Sequence, residues 1–485
     1  MINFESLVDL LDKPVLRQSI LPLITEPETK DGKNIFLESL DLLFKEHTNL
    51  GPRDMWKAKI ISKFTDWAIS KYADKESARR YLSNPKLGPH FDEMVKRGIL
   101  VTLRGIEKYG LKKPLTPSAP YLVVYNLTKQ CNLKCRHCYE WKEKHDNELT
   151  LKEKINAIDQ LDEMKVPSMV LSGGEALIST DFDSVSTHIN RKGIYHALAT
   201  NGTLLTKDTV QKVKDLDYAY VQVSVDGNKE THNHFRGGDA YDRTMEGIDN
   251  LVDAGVITSI AATLTVYNKD QIFDIIEMAK RKGVFNFILY KLVLTGRATK
   301  DLDVSTEFKD QLYEKLIEWT LRENERAKRE KRRPFLILST DPIYARKVWD
   351  VQQGKNRSDI DMPAAHFGSL PRLEKATMES LLGFIGGCGA GHKQLAIDYN
   401  GDINPCVFMP DIRIGNTKTD KISYIWENSP TLNALRIPRE YIQGCGKCDY
   451  NEICGGCRAV SHTSHRKMGL PYSLLQQDTS CVLNQ

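Results

Sequence analysis

The chain has 485 residues and a mass of 55.2 kDa, a length that suits about two to four domains. Hydrophobic residues make up 41% and charged residues 27%, enough apolar material for a core, which excludes global disorder. With 68 Lys and Arg against 64 Asp and Glu, the formal net charge is +4, too small for this length to argue for nucleic acid as a partner.

No apolar run approaches the ~18–20 residues of a membrane span. The opening MINFESLVDLLDKPV carries acids early and has neither the basic nor the apolar stretch of a secretory signal. The expected compartment is the cytoplasm, where thiols stay reduced and ten cysteines read as metal ligands or catalytic groups rather than disulfides. None precedes residue 131; three fall at Cys131–Cys138 and seven between Cys388 and Cys481.

In chain order, residues 1–117 read as a helical domain. Apolar residues recur at helical spacing in FLESLDLLFKEH and MWKAKIISKFTDWAISKYA, with proline-bearing breaks at LITEPETKDGKN and NPKLGPH. KKPLTPSAP, residues 112–120, is a linker. From Tyr121 the rhythm becomes strand–helix, with apolar runs LVVYN, SMVLS, HALAT, AYVQVSV, SIAATLTV and FNFILYKL separated by helical patterns. Six such alternations predict parallel strands in an α/β fold, a partial (β/α)6 barrel over residues 118–300, with chemistry at the carboxyl ends of the strands. Residues 301–385 are a connecting region: a helix ending in the basic run ERAKREKRR, a solvated face or an anion-binding patch, then the extended PFLILSTDP and a polar stretch. Residues 386–485 are rich in Gly, Cys and turns.

Cys131, Cys135 and Cys138 stand as Cys-x3-Cys-x2-Cys just after the first strand. Three soft thiolates at this spacing suit iron–sulfur or zinc ligation. A structural zinc site wants a fourth protein ligand; His137, inside the Cys-x2-Cys loop, is awkwardly placed for it. Downstream, LSGGEAL puts Gly173, Gly174 and Glu175 after the second strand, a plain turn or a close backbone approach beside a carboxylate acceptor. Asn201 and Gly202 end the third strand and Ser224 and Asp226 the fourth, with His232 and Arg236 on the next loop. A hydroxyl can bond a ribose and a guanidinium a carboxylate.

These motifs, in this order, resemble the radical S-adenosylmethionine (SAM) superfamily. The resemblance implies a three-cysteine [4Fe–4S] cluster whose open iron chelates SAM, reductive cleavage to a 5′-deoxyadenosyl radical, and hydrogen abstraction from substrate. It assigns Gly173, Gly174 and Glu175 to the methionyl amine and the regions of Asn201, Ser224 and Arg236 to ribose and carboxylate. His137 takes the position near the adenine, and Ala176 stands where proline is usual.

The later cysteines follow Cys388, Cys406, Cys445-x2-Cys448-x5-Cys454-x2-Cys457 and Cys481. Alone, the middle block reads as a zinc ribbon or knuckle. Together the seven resemble the SPASM extension, which holds two auxiliary iron–sulfur clusters, though with two residues rather than three in the last close pair. By that pattern Cys388, Cys406 and Cys457 hold the first cluster and Cys445, Cys448, Cys454 and Cys481 the second, so three clusters, all [4Fe–4S], use all ten cysteines. The first auxiliary cluster then lacks a fourth ligand, to come from water, His392, Asp402 or substrate. KLVLTGRA (291–298), STDPIYAR (339–346) and GGCRA (455–459) are similar to segments of enzymes of haem d1 and alternative haem biosynthesis.

The expected activity is that of a radical SAM oxidoreductase. It abstracts hydrogen from an unactivated C–H bond of a tetrapyrrole-like small molecule or a ribosomal peptide, with auxiliary clusters accepting an electron and a ferredoxin or flavodoxin as donor. The rival readings are a zinc-stabilised binding module and an iron–sulfur electron-transfer protein.

Overall fold

The computed structural model describes residues 11–25, 28–29, 33–44, 48, 50–72, 88–140, 147–354, 362–364, 368–370, 382–467 and 474–484. Most of the NPKLGPH break, parts of LITEPETKDGKN and most of the polar stretch before residue 382 lie outside them.

The six expected strands are present: β1 (Leu122–Asn126), β2 (Ser168–Ser172), β3 (Tyr195–Thr200), β4 (Tyr220–Ser224), β5 (Thr258–Thr263) and β6 (Asn286–Tyr290). They pair in parallel in chain order. The extended PFLILSTDP forms a seventh parallel strand, β7 (Leu336–Ser339), with Phe287 opposite Ile337.

Several of the helices between strands begin where side chains satisfy free backbone N–H groups. Thr150 and Glu153 form a capping box; Thr206, Asn228 and Ser305 cap later helices. Val123, Leu171, Leu198, Val221, Ile260 and Phe287 are buried with apolar residues of these helices in one core. Each such side chain contributes on the order of 1.5–3 kcal/mol by leaving water.

Two short strands, β8 (Met362–Ala364) and β9 (Gly368–Leu370), pair with each other. The cysteine-rich end joins the main sheet on its other side. There β10 (Gln394–Ile397) lies parallel to β1, with Val123 opposite Leu395, and is followed by antiparallel β11 (Asp402–Asn404) and β12 (Gly415–Asn416). Among the described residues the sheet runs from β12 to β7 without closing.

The N-terminal region is helical where described: α1 (Leu21–Thr25), α2 (Ile35–Phe44), α3 (Pro52–Tyr72) and α4 (Phe91–Tyr109). Ile35, Phe36, Leu40 and Leu100 form a core of its own. From α4, Arg97 donates to the Lys192 carbonyl at 2.6 Å and pairs with Asp162 at 3.0 Å, just ahead of β3 and β2. Gly88 lies so close to Ala219, just before β4, that a Cβ would stand 2.7 Å from its carbonyl oxygen. These helices therefore cover the amino ends of the strands, the end opposite the cysteine triad. No described helix is long and apolar enough to cross a membrane.

Candidate iron–sulfur and cofactor site

The triad sits on the loop that leaves β1. Asn126, the last residue of that strand, donates to Glu140 at 2.7 Å and to Asp398 beyond β10 at 2.9 Å. Thr128 Oγ1 and the Lys129 N–H bond Glu148 at 2.8 and 2.9 Å.

Three neighbouring segments clasp the loop. After β2, Gly174 N–H donates to Thr128 O at 2.7 Å and Glu175 N–H to Gln130 O at 2.8 Å. A Cβ on Gly173 would stand 2.5 Å from Thr128 O, and one on Gly174 2.2 Å from Gln130 O, so both glycines serve a close approach of backbone to the cysteine loop. The second segment is the end of a helix after β4, Lys229–Arg236, whose Phe235 carbonyl accepts the Arg136 N–H at 2.9 Å. The third follows β6, where Arg297 N–H reaches Cys138 O at 3.0 Å and a Cβ on Gly296 would lie 2.2 Å from that oxygen.

Cys131 is exposed, and Cys135 and Cys138 are half-buried. Burial pushes the Cys135 thiol up to about 11. His137 stacks on Phe235 with ring centres 4.4 Å apart, and burial holds it down to about 4, so the ring is neutral.

The expected SAM contacts divide by how far the protein already engages them. Glu175 is buried, its carboxyl raised by desolvation, and it accepts from Thr200 Oγ1 and the Asn201 N–H, both at 2.8 Å. It thus ties the end of β2 to the end of β3. Asn201 Nδ2 donates to Asn132 Oδ1 at 2.9 Å, back to the cysteine loop. Arg236 Nε and a terminal nitrogen both lie 2.7 Å from Asp226 Oδ2, while Asp226 Oδ1 takes the Thr263 N–H at 2.8 Å. His232 Nδ1 accepts the Asp226 N–H at 3.3 Å. Ser224 is half-buried at the end of β4, and its hydroxyl makes no bond to protein among the described residues.

Of the seven later cysteines, Cys388 and Cys406 lie beside the start of β10, and Cys457 is tied through Asp478 to Lys291, which follows β6. The Cys388 and Cys457 thiols are hydrogen-bonded, which holds Cys388 down to about 6 and drives Cys457 up. Buried Cys406 accepts from Gln394 Nε2 of β10 at 3.2 Å and packs in one small cluster with Cys388 and Cys457. Cys481 sits within electrostatic reach of both Cys445 and Cys448. Gly456 bridges to Cys454: its N–H donates to Cys454 Sγ at 3.5 Å, and its Cβ position is 3.6 Å from Cys445 Sγ.

Among the described residues, no three His, Cys, Asp or Glu side chains converge tightly enough for a single metal ion. The surrounding charge fits an anionic group. Arg439 and Arg458 are buried and donate to main-chain carbonyls, Arg458 to Leu474, Gln476 and Gly455 at 2.8–3.2 Å. Among the described residues neither has a carboxylate within 4.0 Å. An unpaired buried cation costs several kcal/mol; thiolate-held clusters beside these arginines would offset it. Asp402 is occupied elsewhere, accepting from Asn400 and Asn416 at 2.9 Å and pairing with Arg413. His392 bonds the Cys388 carbonyl through Nε2, and its buried Nδ1 has no partner among the described residues.

A parallel α/β sheet with a cysteine triad after its first strand, joined to a seven-cysteine extension, defines an iron–sulfur enzyme architecture. The Radical SAM superfamily model matches residues 125–281, and the SPASM iron–sulfur cluster-binding domain matches residues 388–458. The AdoMet-dependent heme synthase of Methanosarcina barkeri is 31% identical over 351 residues, 72% of this chain and 93% of the relative. Mycofactocin maturase MftC of Mycolicibacterium smegmatis is 27% identical, covering 75% of this chain and 83% of its own. The structure of Streptococcus suis SuiB bound to precursor peptide SuiA aligns with a TM-score of 0.61 at 16% identity, over 93% of this chain and 94% of that one, a likeness of fold. The chain belongs to the radical SAM superfamily, SPASM-containing branch. The radical SAM domain implies SAM and a [4Fe–4S] cluster, and the SPASM domain further iron–sulfur clusters.

The sequence reading missed Lys291, Asp341 and Asp478, which meet in one buried ion group. Two of them lie in segments whose likeness to haem-pathway enzymes was visible; Asp478 had only its nearness to Cys481 as a signal.

Proposed function

We propose that this enzyme abstracts a hydrogen atom from a side chain of a tetrapyrrole-like small molecule, with net oxidation through its auxiliary centres. What carries the reading is the 31% identity across 93% of the heme synthase. KLVLTGRA and STDPIYAR, which supply Lys291 and Asp341 of the buried ion group, support it.

When bound, SAM and the triad cluster supply the 5′-deoxyadenosyl radical. The chain's own residues prepare the place. Gly173, Gly174, Gly237 and Gly296 let three segments press the triad loop into one shape. Ser224 offers a hydroxyl to the cofactor's ribose. The neutral His137–Phe235 stack presents a flat surface for an adenine. Glu175 keeps acceptor capacity for the methionyl amine, and Arg236, charge-paired with Asp226, has N–H groups left for a carboxylate. Cys388, Cys406 and Cys457 hold the first auxiliary cluster, and Cys445, Cys448, Cys454 and Cys481 the second. A ferredoxin or flavodoxin supplies the electron, in the cytoplasm.

The maturase relative and the peptide-bound fold neighbour favour a second reading, a ribosomal peptide substrate. Anaerobic assay of the reconstituted enzyme with SAM, reductant and either tetrapyrroles or short peptides decides between them. Substrate-dependent 5′-deoxyadenosine with a mass loss on a tetrapyrrole is the expected result; a mass loss on a peptide alone overturns it.

A further inference from the structure

Segments from three parts of the chain meet in a buried ion group. Lys291 follows β6, Asp341 follows β7, and Asp478 comes from near the C-terminus. Lys291 Nζ lies 3.1 Å from Asp341 Oδ1 and 2.9 Å from Asp478 Oδ2. Asp341 also accepts the Tyr313 hydroxyl at 2.7 Å and the Ile343 N–H at 3.0 Å. Asp478 Oδ2 takes the Cys457 N–H at 2.8 Å, and Oδ1 takes the Ser480 N–H and hydroxyl at 2.9 and 2.6 Å. All three charged side chains are buried.

Two carboxylates and one ammonium leave a net negative charge in the interior, bonded to the backbone of a cysteine. Apolar side chains of similar volume often stabilise a fold as well as a buried ion group does, so stability alone does not account for the charges. Every carboxylate oxygen has a donor, so the group is rigid as well as charged. Its position explains what it can act on. Asp478 grips the amide of Cys457, whose thiol contacts that of Cys388. The barrel strands hold the other end through Lys291 and Asp341.

The geometry points to Lys291 as a positioning residue for the first auxiliary centre: it clamps Asp478 onto the Cys457 arm and, with Asp341, sets the charge felt by the group that Cys388, Cys406 and Cys457 hold. The proposal rests on reading these cysteines as cluster ligands. In a low-dielectric interior such charges act strongly on a neighbouring redox centre. The clamp thus makes the catalytic barrel, rather than the cysteine-rich end alone, the source of the auxiliary centre's electron affinity.

The test uses the full-length, anaerobically reconstituted protein and its Lys291→Met, Lys291→Arg and Asp341→Asn variants. Asp341→Asn keeps the shape, because the Tyr313 hydroxyl can accept as well as donate. Iron content is measured, and the auxiliary centres are titrated against potential by paramagnetic resonance. Lys291→Met should make the centre harder to reduce by about tenfold in equilibrium, about 59 mV for one electron. Asp341→Asn should make it easier to reduce, and Lys291→Arg should restore near-native behaviour. Opposite signs separate a charge effect from damage. Unmoved potentials in variants with native iron, or shifts of one sign in both, overturn the proposal. Should Lys291→Met fail to fold, a native potential in Asp341→Asn overturns it alone. Absence of iron from the C-terminal cysteines of the unsubstituted protein would instead overturn the underlying reading, and the clamp with it.

Discussion

Arg236 shows how far a side chain's role depends on a partner ten residues away. Its guanidinium is spent largely on Asp226, a carboxylate with no exposure at all. Arg236→Met leaves that charge buried without its cation, and should cost about 3–5 kcal/mol, read as a lower urea midpoint. Ser224→Ala should behave in the opposite way, raising the apparent KM for SAM several-fold with an unchanged midpoint, since its hydroxyl has no protein bond to lose. Gly174→Ala places a methyl group 2.2 Å from the Gln130 carbonyl, so the triad loop must move. We expect that variant to lose the triad's iron and deoxyadenosine formation while keeping the C-terminal iron; full iron and a normal rate would refute the clasp. The cysteines were legible because ligand chemistry imposes short spacings along the chain. Partnerships such as Glu175 with Thr200, or Lys291 with Asp478, were not, because they join residues 25 and 187 positions apart and leave no periodic trace.

Among the elements, the six central strands could be read as apolar runs because strands covered on both faces are apolar throughout. The extended stretch at β7 was visible, but its place in the sheet was not: it follows a 24-residue helix, Thr306–Arg329, that returns the chain to β6. β10 was invisible, being four residues long and paired with a strand some 270 positions earlier. The N-terminal helices were legible as helices, and the structure adds where they sit. Because Arg97 of α4 reaches Asp162 and Lys192 at the amino ends of β2 and β3, its contacts lie at the end of the strands opposite the triad. Arg97→Met would remove one of two cations from Glu93 and from Asp162, which keep Lys96 at 2.7 Å and Lys192 at 3.7 Å, and with the bond to the Lys192 carbonyl also lost is expected to lower stability by about 1–3 kcal/mol. Deoxyadenosine formation and apparent substrate affinity should not change. A weakened substrate affinity at unchanged stability would show that this region takes part in recognition.

On the scale of the whole molecule, one sheet joins two regions that are stabilised by different means. The large apolar cluster runs from Val101 through β1–β7 and on into Ile403, Ile422, Trp426, Leu432 and Ile453 of the cysteine-rich end. Around the cysteines themselves lies a much smaller cluster, in which Val293, Met409 and Leu435 share space with Cys406, Cys388 and Cys457. A small core of this kind leans on its inorganic group for stability, because metal-binding free energy is folding free energy where no preformed site survives unfolding. Removing the clusters by anaerobic chelation should therefore act unevenly. Amide hydrogen exchange is expected to rise steeply around the cysteines, across residues 386–392, 405–412, 439–467 and 474–484, and little across β10–β12 and residues 422–432, which belong to the barrel's sheet and core. Strands β1–β7 should keep their protection, since no cysteine lies within them. Reconstitution with iron and sulfide should reverse the change. Uniform loosening across both regions would mean that the clusters stabilise the barrel as well. No change anywhere would mean that the cysteine-rich end folds without its clusters, as neutral thiols around Arg439 and Arg458.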